Sequence, residues 1–574
     1  MEMFIRSQCN KYVFVFVFFV ISVVKCENAN ITIPLNKTIT QDNRELFGGF
    51  VTIKSNSTLQ VNLQDDFDKK VVFIIFQVHS HIYNVTLYNN TGGINTLGSH
   101  IYGTNLGLYC PVKPALDTYY INNMNTKDLK LYVTVHGYRK IDPIPGGCNL
   151  DLPIYVSPFM ILSYDKALIN IGAPPPQDVK INPNCNMVEG NTGTTISFYK
   201  MFLPEKALDE NTYFDGLRKM LTLDHIKENA VEIPEQHLPK RPIARIRRSL
   251  SSYLGTGTVY VAVAYKISNP KMYSVYVPTY TYACSPLEGN CNILDDIVSE
   301  IFCATLIFIG LFTCFFGHRF FKTEMFLVGM FTGVIITYIL ISIISSHISE
   351  SALLGASLLS GVFFGAIWLL FWWFYGIPVM SVFLCTLHLG FMLSSIIYFG
   401  MPPGHLIFEQ NSTFWTIFVV VMLFTSITLI TMTFLSNIFC CAVLGAYATV
   451  FALDHYIGSN LKYITINTLR RAVVDDFNYA DLSPPYQWRD VMSTLFWVAL
   501  AISGFLFQHY HNRGRSPFPP PPRSITPLNP DSHIYNNYGS VTGRTRRLFT
   551  IERGTDVAEE RAPLISENIP RNTL

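Results

Sequence analysis

The chain has 574 residues, of which 49% are hydrophobic and only 14% are charged. Soluble proteins carry about 25% charged residues, so this composition indicates a membrane protein. The formal net charge of +2 is too small to indicate nucleic-acid binding, and basic residues do not alternate with aromatic residues over a surface-sized stretch. We therefore expect no nucleic-acid partner.

The N-terminus has the pattern of a secretory signal peptide over residues 1–26. Arg6 and Lys11 precede an apolar run of twelve residues from Val13 to Val24, and a cleavage-like site follows. That run is too short for a stable membrane-spanning helix, so we expect it to be removed and the mature chain to begin near Glu27 in the lumen. An uncleaved membrane anchor is the alternative.

The next 270 or so residues predict a β-rich, β-sandwich-like lumenal ectodomain. Short β-branched and aromatic runs such as "TVYVAVAYKI" are broken by Gly, Pro and Asn, and they have the length and period-two pattern of strands. One stretch, "LDENTYFDGLRKMLTLDHIKENA", instead places five apolar residues on one helical stripe. These residues are Tyr213, Phe214, Leu217, Met220 and Leu221.

The segment "GAPPPQD" at 172–178 predicts a hinge within this ectodomain. Consecutive prolines cannot donate hydrogen bonds to a sheet, so they are expected between lobes and not within one. We therefore predict a first lobe at 27–172 and a second lobe at 173–300, with one continuous domain as the alternative.

Five N-glycosylation sequons crowd the start of the ectodomain and agree with its lumenal placement. Each of them marks a surface loop or an outward-facing strand position. They begin at Asn30, Asn36, Asn56, Asn84 and Asn89.

Five cysteines lie in the mature ectodomain, where an oxidising lumen favours disulfides. "CSPLEGNC" encloses a short loop with a glycine, which makes Cys284–Cys291 the best candidate for a bridge. One odd thiol then remains, either bonded to another chain or buried and inert. The other three cysteines are Cys110, Cys148 and Cys185.

A basic segment of the second lobe, "RPIARIRRS", matches the pattern cut by furin-like proteases. It places Arg245, Arg247 and Arg248 before Ser249. A Pro-flanked, polar loop would expose the bond for cleavage. An ordinary solvated basic loop is the alternative.

Residues 301–508 predict seven transmembrane helices. Near-continuous apolar segments of roughly 17 to 23 residues match the hydrocarbon thickness of a bilayer. The uncharged block from Phe414 to Leu453 would be about 60 Å long as one helix against a core of about 30 Å, so we interpret it as a hairpin near Ser436 and Asn437. The predicted spans are Ile301–Phe316, Met325–Ile344, Ala352–Phe374, Val379–Phe399, Phe414–Phe434, Ile438–Leu453 and Val491–Gln508.

The placement of Lys and Arg predicts a lumenal N-terminus and a cytosolic C-terminus. No Lys or Arg lies between Lys271 and the first span, whereas Arg319 and Lys322 follow it closely. The loop between the sixth and seventh spans disagrees, because this topology makes it lumenal although it is basic. We accept this exception because the signal peptide and the odd number of spans converge on the same orientation. The loop's basic residues are Lys462, Arg470, Arg471 and Arg489.

Residues 509–574 then predict a cytosolic, Pro-rich tail with a sorting motif. Glu560, Leu564 and Ile565 form the pattern acid-x-x-x-Leu-Ile, which resembles the dileucine signals that clathrin adaptors bind on proteins bound for endosomes and lysosomes. We expect the protein in endosomal, lysosomal or plasma membranes. "FPPPP", Phe518–Pro522, is a polyproline II segment that resembles ligands of EVH1 or SH3-type domains. A stiff spacer is the alternative, since a basic residue follows where EVH1 ligands carry acidic ones.

The predicted spans contain small-residue pairs but no visible seat for catalysis. Only His388 lies deep in a span, and we interpret it as bonded to a neighbouring helix. "GMFTG" at 329–333 and "GVFFG" at 361–365 predict close helix packing. Cys440 and Cys441 suggest either palmitoylation or a membrane-buried pair. We expect no enzyme activity, no metal and no cofactor, because phosphate loops, HExxH and nucleophile elbows are absent from the sequence.

Several stretches resemble the transmembrane 7 superfamily member 3 family. They are "DPIPGGCNL" at 142–150, "PTYTYACS" at 278–285, "FFGHRFFKTEMF" at 315–326, and the Pro-rich exit with its terminal acid-x-x-x-Leu-Ile. The resemblance implies a seven-pass protein whose membrane half is related to the transmembrane protein 198 group. It also implies a role in cell survival and protein-homeostasis stress responses, without enzymatic activity.

The sequence as a whole predicts a glycosylated binding and scaffold protein, with membrane lipid, a clathrin adaptor and an unidentified lumenal ligand as partners. A receptor that couples to G proteins is the alternative. A channel or carrier is disfavoured, because the spans are uncharged.

Overall fold

The computed structural model describes residues 29–519 with short internal gaps. The predicted signal peptide and sorting motif, together with Asn36 and Arg245, lie outside the described residues. The predicted fold class is confirmed, since two β-sandwiches precede a bundle of long helices. The internal gaps fall at 36, 42, 65–67, 90–99, 113–117, 179–192, 237, 239–245, 290, 292–296, 346–347 and 403–408.

The N-terminal domain is a sandwich of two sheets. Its described strands are β1 (Ala29–Pro34), β2 (Glu45–Ile53), β3 (Ser57–Gln64), β4 (Val71–Ser80), β5 (Val85–Asn89), β6 (His100–Gly103), β7 (Asn105–Pro111), β8 (Tyr119–Asn123) and β9 (Leu129–Arg139). One sheet has the order β1-β3-β8-β5-β6 and the other β2-β9-β4-β7. Alternate residues of each sheet, such as Leu59 and Val133, share one core between the sheets.

The second domain is a smaller sandwich with two helices packed on its outer face. Its described elements are β10 (Ile161–Tyr164), β11 (Leu168–Ala173), β12 (Thr194–Phe202), α1 (Glu210–Arg218), α2 (Leu223–Asn229), β13 (Val231–Ile233), β14 (Ile246–Ser251), β15 (Thr258–Lys266), β16 (Asn269–Val275) and β17 (Thr279–Thr281). The sheet β10-β11-β14 faces β13-β12-β15-β16, and β17 pairs with β15. Ile171 and Phe198 come from opposite sheets and meet in the core.

The predicted helix of this domain is instead two short helices, α1 and α2, although all five stripe residues are buried as expected. The chain turns between Lys219 and Thr222. The side chain of Asp209 accepts a hydrogen bond from the Thr212 N–H at 2.9 Å and so caps the first helix.

The proline segment predicted as a hinge is packed inside the second domain. Tyr276 Oη donates to Pro174 O at 2.6 Å, and the Cys148 N–H donates to Pro175 O at 3.0 Å. Strand β11, before the prolines, pairs with β14 beyond them. Proline lacks an N–H but keeps its carbonyl acceptor, so groups from elsewhere in the chain hold the run in place. The lobe boundary predicted at residue 172 therefore falls within one sandwich.

Eight α-helices follow in the described residues, and seven of them have 20 or more residues. Within the described part of the chain, six helical stretches are long and apolar enough to cross a membrane. The first, Ile297–Ile344, has 48 residues and would be about 70 Å long if straight. A 3-10 turn, Gly317–Phe320, divides it into two helices of 20 and 24 residues, each long enough to cross a bilayer. The helices are α3 (Ile297–Phe316), α4 (Phe321–Ile344), α5 (Glu350–Tyr375), α6 (Pro378–Phe399), α7 (Asn411–Ile430), α8 (Thr433–Ile457), α9 (Tyr463–Val473) and α10 (Trp488–His511).

The predicted hairpin in the long uncharged block exists, but its turn lies earlier than expected. Helix α7 ends at Ile430, and Met432 leaves the helical conformation at φ −118 and ψ 59. Ser436 and Asn437, the predicted turn, are buried in the first turns of α8. The Ser436 hydroxyl donates to Leu429 O near the end of α7. The residue that suggested a turn therefore supplies a hydrogen bond to one of the last carbonyl groups of α7, which have no partner within the helix.

The two glycine pairs pack α4 against α5, as predicted. A Cβ at Gly365 would lie 2.7 Å from Phe326 O, and one at Gly361 would lie 2.8 Å from Met330 O. These distances are too short for any side chain, so the backbones touch directly.

Candidate functional site

The segment between α8 and α10 docks on the second β-sandwich. Lys200 Nζ, on β12, lies 2.7 Å from Asp481 Oδ2, and both side chains are buried. Arg470, on α9, donates to Ser252 O at 2.8 Å. The segment that broke the charge rule therefore lies on the same side of the bundle as the sandwiches, and its charges are bound by the protein. We call this side the sandwich side and the opposite side the tail side.

The basic segment predicted as a protease site is part of this docking surface. Arg247 and Arg248 lie in β14, which pairs with β11, and Arg248 is buried. Ser249 O also accepts a hydrogen bond from the Asp481 N–H at 2.9 Å. A protease needs an accessible extended segment, whereas the Arg248–Ser249 bond is held within a sheet. The predicted exposed loop is therefore wrong for residues 246–251.

A carboxyl pair lies at the same junction. Burial and then the neighbouring carboxyl of Asp490 raise the pKa of Glu205 to about 8, while Arg489, with Nε 3.8 Å from Glu205 Oε2, opposes the shift. Gln487 Nε2 donates to Leu203 O at 2.9 Å and fixes the start of α10 against the sandwich. The sandwich pair is thus joined to the bundle by buried polar contacts as well as by the chain.

Beneath the docked segment, a cavity of about 460 Å³ lies between six helices, α3, α4, α5, α6, α8 and α9. Its wall is almost entirely apolar. On the sandwich side the lining includes Lys166 and Glu350, whose charged groups lie 2.7 Å apart. Apolar lining residues include Leu306, Val328, Phe331, Met392, Leu444 and Phe451.

The tail-side end of the cavity carries a second polar group, formed by Glu324, Cys385 and Cys441. His388 also lines the cavity but lies deeper, halfway along α6. His388 Nε2 lies 3.3 Å from Thr332 Oγ1 on α4, so the predicted bond to a neighbouring helix is confirmed. A polar cluster thus closes an apolar cavity.

Sequence reasoning missed Glu324. It stands in a motif assigned to a cytosolic loop, but the 3-10 turn starts α4 earlier and brings Glu324 into the first helical turn, where it is buried. Asn437 Nδ2 donates to Glu324 Oε2 at 2.8 Å and lies 3.0 Å from His318 Nδ1. The signal that was available in the sequence is an acidic residue four positions after "HRF", directly before an apolar run.

The vicinal cysteines of α8 are a buried pair. Cys440 and Cys441 have exposed fractions of 0% and 1%. Palmitoylation requires a thiol that an acyl transferase can reach. Of the two interpretations of Cys440 and Cys441, this structure therefore favours the membrane-buried pair.

The sandwich cysteines follow the prediction where they are described. Cys284 and Cys291 form a disulfide. Cys148 is also disulfide-bonded. Cys110 is buried, and its sulfur accepts a hydrogen bond from the Tyr119 hydroxyl, which matches the buried alternative for the odd thiol.

Four of the five predicted glycosylation sites are described. Asn30, Asn56 and Asn84 are exposed, and Asn89 is half-buried at the end of β5. Attachment of a glycan needs a side chain accessible from solvent, and the three exposed residues meet this requirement. Glycosylation itself stays a prediction.

The first residue of the polyproline segment packs on the tail side of the bundle. The ring of Phe518 lies 5.5 Å from that of His318 and 5.2 Å from that of Phe321, measured between centroids. A domain that binds Phe518 must first separate it from these rings. Pro520–Pro522 lie outside the described residues.

Two β-sandwiches joined to seven long apolar helices define a multi-pass membrane protein with paired immunoglobulin-like domains. Family models match the same three units in the same order. A TM7SF3-like N-terminal immunoglobulin-like domain matches residues 47–138, a TM7SF3-like second immunoglobulin-like domain matches 143–287, and a TM7S3/TM198-like domain matches 303–509.

The chain belongs to the transmembrane 7 superfamily member 3 family. It is 31% identical to the Mus musculus protein of that name over 542 residues, covering 89% of this chain and 93% of the relative. The Rattus norvegicus protein is 32% identical over 86% of this chain and 90% of its own length. The Homo sapiens protein is 30% identical over 87% and 90%. The resemblance found in the sequence is thereby confirmed.

Proposed function

We propose that this chain is a non-enzymatic membrane protein that binds an apolar, lipid-like molecule in the cavity between its helices. The cavity of about 460 Å³ carries the proposal. Small-molecule sites are mostly apolar concavities of about 300–1,000 Å³ with a few polar groups. Here the charged groups of the described lining lie toward its two ends, with His388 between them, which suits a molecule with a long apolar body and a polar head.

The paired immunoglobulin-like domains face the lumen or the cell exterior in this proposal and bind a lumenal ligand. Buried contacts such as Lys200–Asp481 support a rigid connection between that surface and the bundle. The same contacts favour, as a second candidate, a receptor that couples to G proteins. Failure of the purified protein to bind any G protein would exclude that candidate.

The tail controls where the protein resides. Helix α10 leaves the bundle on the tail side, because Gln508 near its end donates to Cys314 O at 2.7 Å near the end of α3. With the sandwiches in the lumen, residues 509–574 are cytosolic. Clathrin adaptors then bind Glu560, Leu564 and Ile565 and direct the protein to endosomal, lysosomal or plasma membranes, and Phe518–Pro522 offers a site for an EVH1 or SH3-type domain.

The wider role of the protein is in cell survival and the response to protein-homeostasis stress. Membership of the family supports this role, because the resemblance to that family implies it. We expect cells that lack the protein to tolerate lumenal folding stress less well, and cavity-filling variants to restore tolerance only in part.

Photo-crosslinking of a lipid tests the binding proposal. The full-length protein in nanodiscs is irradiated with a photoactivatable phospholipid whose reactive group is at the end of the acyl chain. Val328→Phe fills the cavity, whereas the control Val420→Phe enlarges a side chain that is 59% exposed on the outer face of α7. We expect Val328→Phe alone to remove crosslinks to α4 and α6. Equal crosslinking of both variants at these helices would overturn the proposal.

A further inference from the structure

Three potential metal ligands from three helices meet at the tail-side end of the cavity. Ligand atoms of Glu324, Cys385 and Cys441 all lie within 4.8 Å of one another, and all three side chains are buried. Tetrahedral zinc holds sulfur at about 2.3 Å and carboxylate oxygen at about 2.0–2.2 Å, so its ligand atoms lie about 3.5–3.8 Å apart. The three side chains reach that geometry by movements of about 1 Å.

The helices hold these side chains in place without any long loop. Glu324 is in the first turn of α4, Cys385 is eight residues into α6, and Cys441 is nine residues into α8. Helix α6 packs against both α4 and α8. Ligands on packed helices are preorganised, which favours metal binding over ligands on mobile loops.

A fourth polar group supports the same site independently. Asn437 is fully buried one turn before Cys441, and its Nδ2 lies 3.8 Å from Cys441 Sγ. Its Oδ1 has no hydrogen-bond partner among the residues that the structure describes. A buried oxygen without a partner is unfavourable, because it has lost the hydrogen bonds that it made to water in the unfolded chain. Rotation of the carboxamide by 180° brings this oxygen to the place of Nδ2, beside Glu324 and Cys441, where a cation would satisfy it.

We propose that Glu324, Cys385 and Cys441 bind one Zn²⁺ ion, with Asn437 Oδ1 or a water molecule as the fourth ligand. Two sulfur ligands exclude Ca²⁺ and Mg²⁺, which take oxygen ligands, and they suit zinc. The ion cross-links α4, α6 and α8, so its role is structural. The proposal stands on the ligand cluster alone and holds whether or not the cavity binds a lipid-like molecule.

Two other states of the cluster make different predictions. In the first state, Glu324 is protonated and only accepts a hydrogen bond from Asn437. Cys385 and Cys441 then remain thiols, and the cluster binds no metal. A disulfide between Cys385 and Cys441 removes two ligands. Zinc requires deprotonated ligands, so its binding releases protons and weakens as the pH falls.

The test measures metal in the full-length protein, purified in nanodiscs under reducing conditions. We expect about one Zn²⁺ per chain by plasma mass spectrometry, and cobalt–thiolate absorption bands when the metal-free protein is titrated with Co²⁺. Cys385→Ser and Cys441→Ser should each weaken Co²⁺ binding at least tenfold. The control Cys303→Ser alters a fully buried cysteine of α3 outside the cluster and should retain the metal.

Three results would overturn the proposal. The first is wild-type protein that carries less than one zinc ion per ten chains and gives no thiolate bands with Co²⁺. The second is unchanged binding in the double variant Cys385→Ser, Cys441→Ser. The third is a Cys385–Cys441 disulfide, found by peptide mapping, in protein purified under reducing conditions. If the double variant does not fold, the Co²⁺ titrations of the wild-type protein and of Glu324→Gln still test the proposal. Unchanged Co²⁺ binding by Glu324→Gln would then overturn it.

Discussion

Lys200 and Asp481 form a buried ion pair at 2.7 Å, although 281 positions separate them in the chain. Lys200 belongs to the second immunoglobulin-like domain and Asp481 to the segment before the last helix. Burial lowers the pKa of Lys200, while Asp481 raises it in part. The pair joins the two halves of the protein at a point that water does not reach.

Removing one member of this pair should loosen the two halves. Lys200→Met leaves the buried Asp481 carboxylate without a counter-charge, which costs about 3–5 kcal/mol. We expect a lower unfolding temperature and faster limited proteolysis between the sandwiches and the bundle. The matched control is Lys166→Met, which breaks an ion pair whose side chains are 61% and 53% exposed, and should cost at most about 1 kcal/mol. Equal effects of both variants would contradict the role of the buried pair.

The N-terminal sandwich should lose stability in acid. Burial lowers the pKa of His79 to about 4 and that of His136 to about 3, against 6.5 for an ordinary histidine. Between pH 6.5 and 4 the unfolded chain binds more protons than the folded one, so stability is complete above 6.5 and falls with pH through this window. The expected slope is about 1.4 kcal/mol per pH unit for each histidine.

Hydrogen exchange of β4 and β9 between pH 7.5 and 4.5 measures this loss after correction for the intrinsic rate. The double variant His79→Gln, His136→Gln should flatten the pH dependence. His225→Gln, on the exposed face of α2, should leave it unchanged. A wild-type protein whose stability is constant down to pH 4.5 would contradict the prediction.

Close contact between α4 and α5 should make Gly365 intolerant of any side chain. Gly365→Ala places a methyl group 2.7 Å from a backbone oxygen, which must move, and we expect a loss of about 1–3 kcal/mol. Gly355→Ala on the same helix meets no atom of the described residues within 4 Å and should be neutral or stabilising by up to about 1 kcal/mol. Thermal unfolding of the detergent-purified variants distinguishes these outcomes. The prediction fails if the two substitutions have the same effect.

The tail motif predicts a change of location without a change of fold. Leu564→Ala together with Ile565→Ala should move the full-length protein from endosomes or lysosomes to the cell surface, because the adaptor loses its apolar contacts. The control Leu548→Ala alters an apolar residue of the same tail outside the motif, and it should leave the location of the protein unchanged. Surface biotinylation and imaging measure the shift. An unchanged distribution of the double variant would remove the sorting hypothesis.

Local sequence patterns were enough to predict most of the helices and strands. The length of an apolar run decides whether a helix spans a bilayer, because the rise per residue is constant at about 1.5 Å. The pairs Gly329–Gly333 and Gly361–Gly365 indicated close packing for a similarly local reason, since residues four apart share one helix face. The Cys284–Cys291 disulfide closes a loop short enough to recognise without the fold.

Predictions failed where a distant part of the chain supplies the partner. Pro174 and Pro175 have no N–H to donate. Their carbonyl oxygens accept hydrogen bonds from Tyr276 and Cys148, which are distant in the sequence. The basic segment at 246–251 is polar in composition, yet β11 and Asp481 bury it. The composition of a segment indicates how favourably its residues are exposed to water. It does not show which groups take the place of that water when the segment is buried.

The sequence by itself therefore determined the class of protein, the presence of long apolar helices and the alternation of strands, because these follow from hydrophobicity over a few neighbouring residues. Tertiary structure alone decided that Glu324, Cys385 and Cys441 meet, and that Lys200 pairs with Asp481. A buried charge is costly alone and acceptable with a partner, and the partner is chosen by packing between elements far apart in the chain.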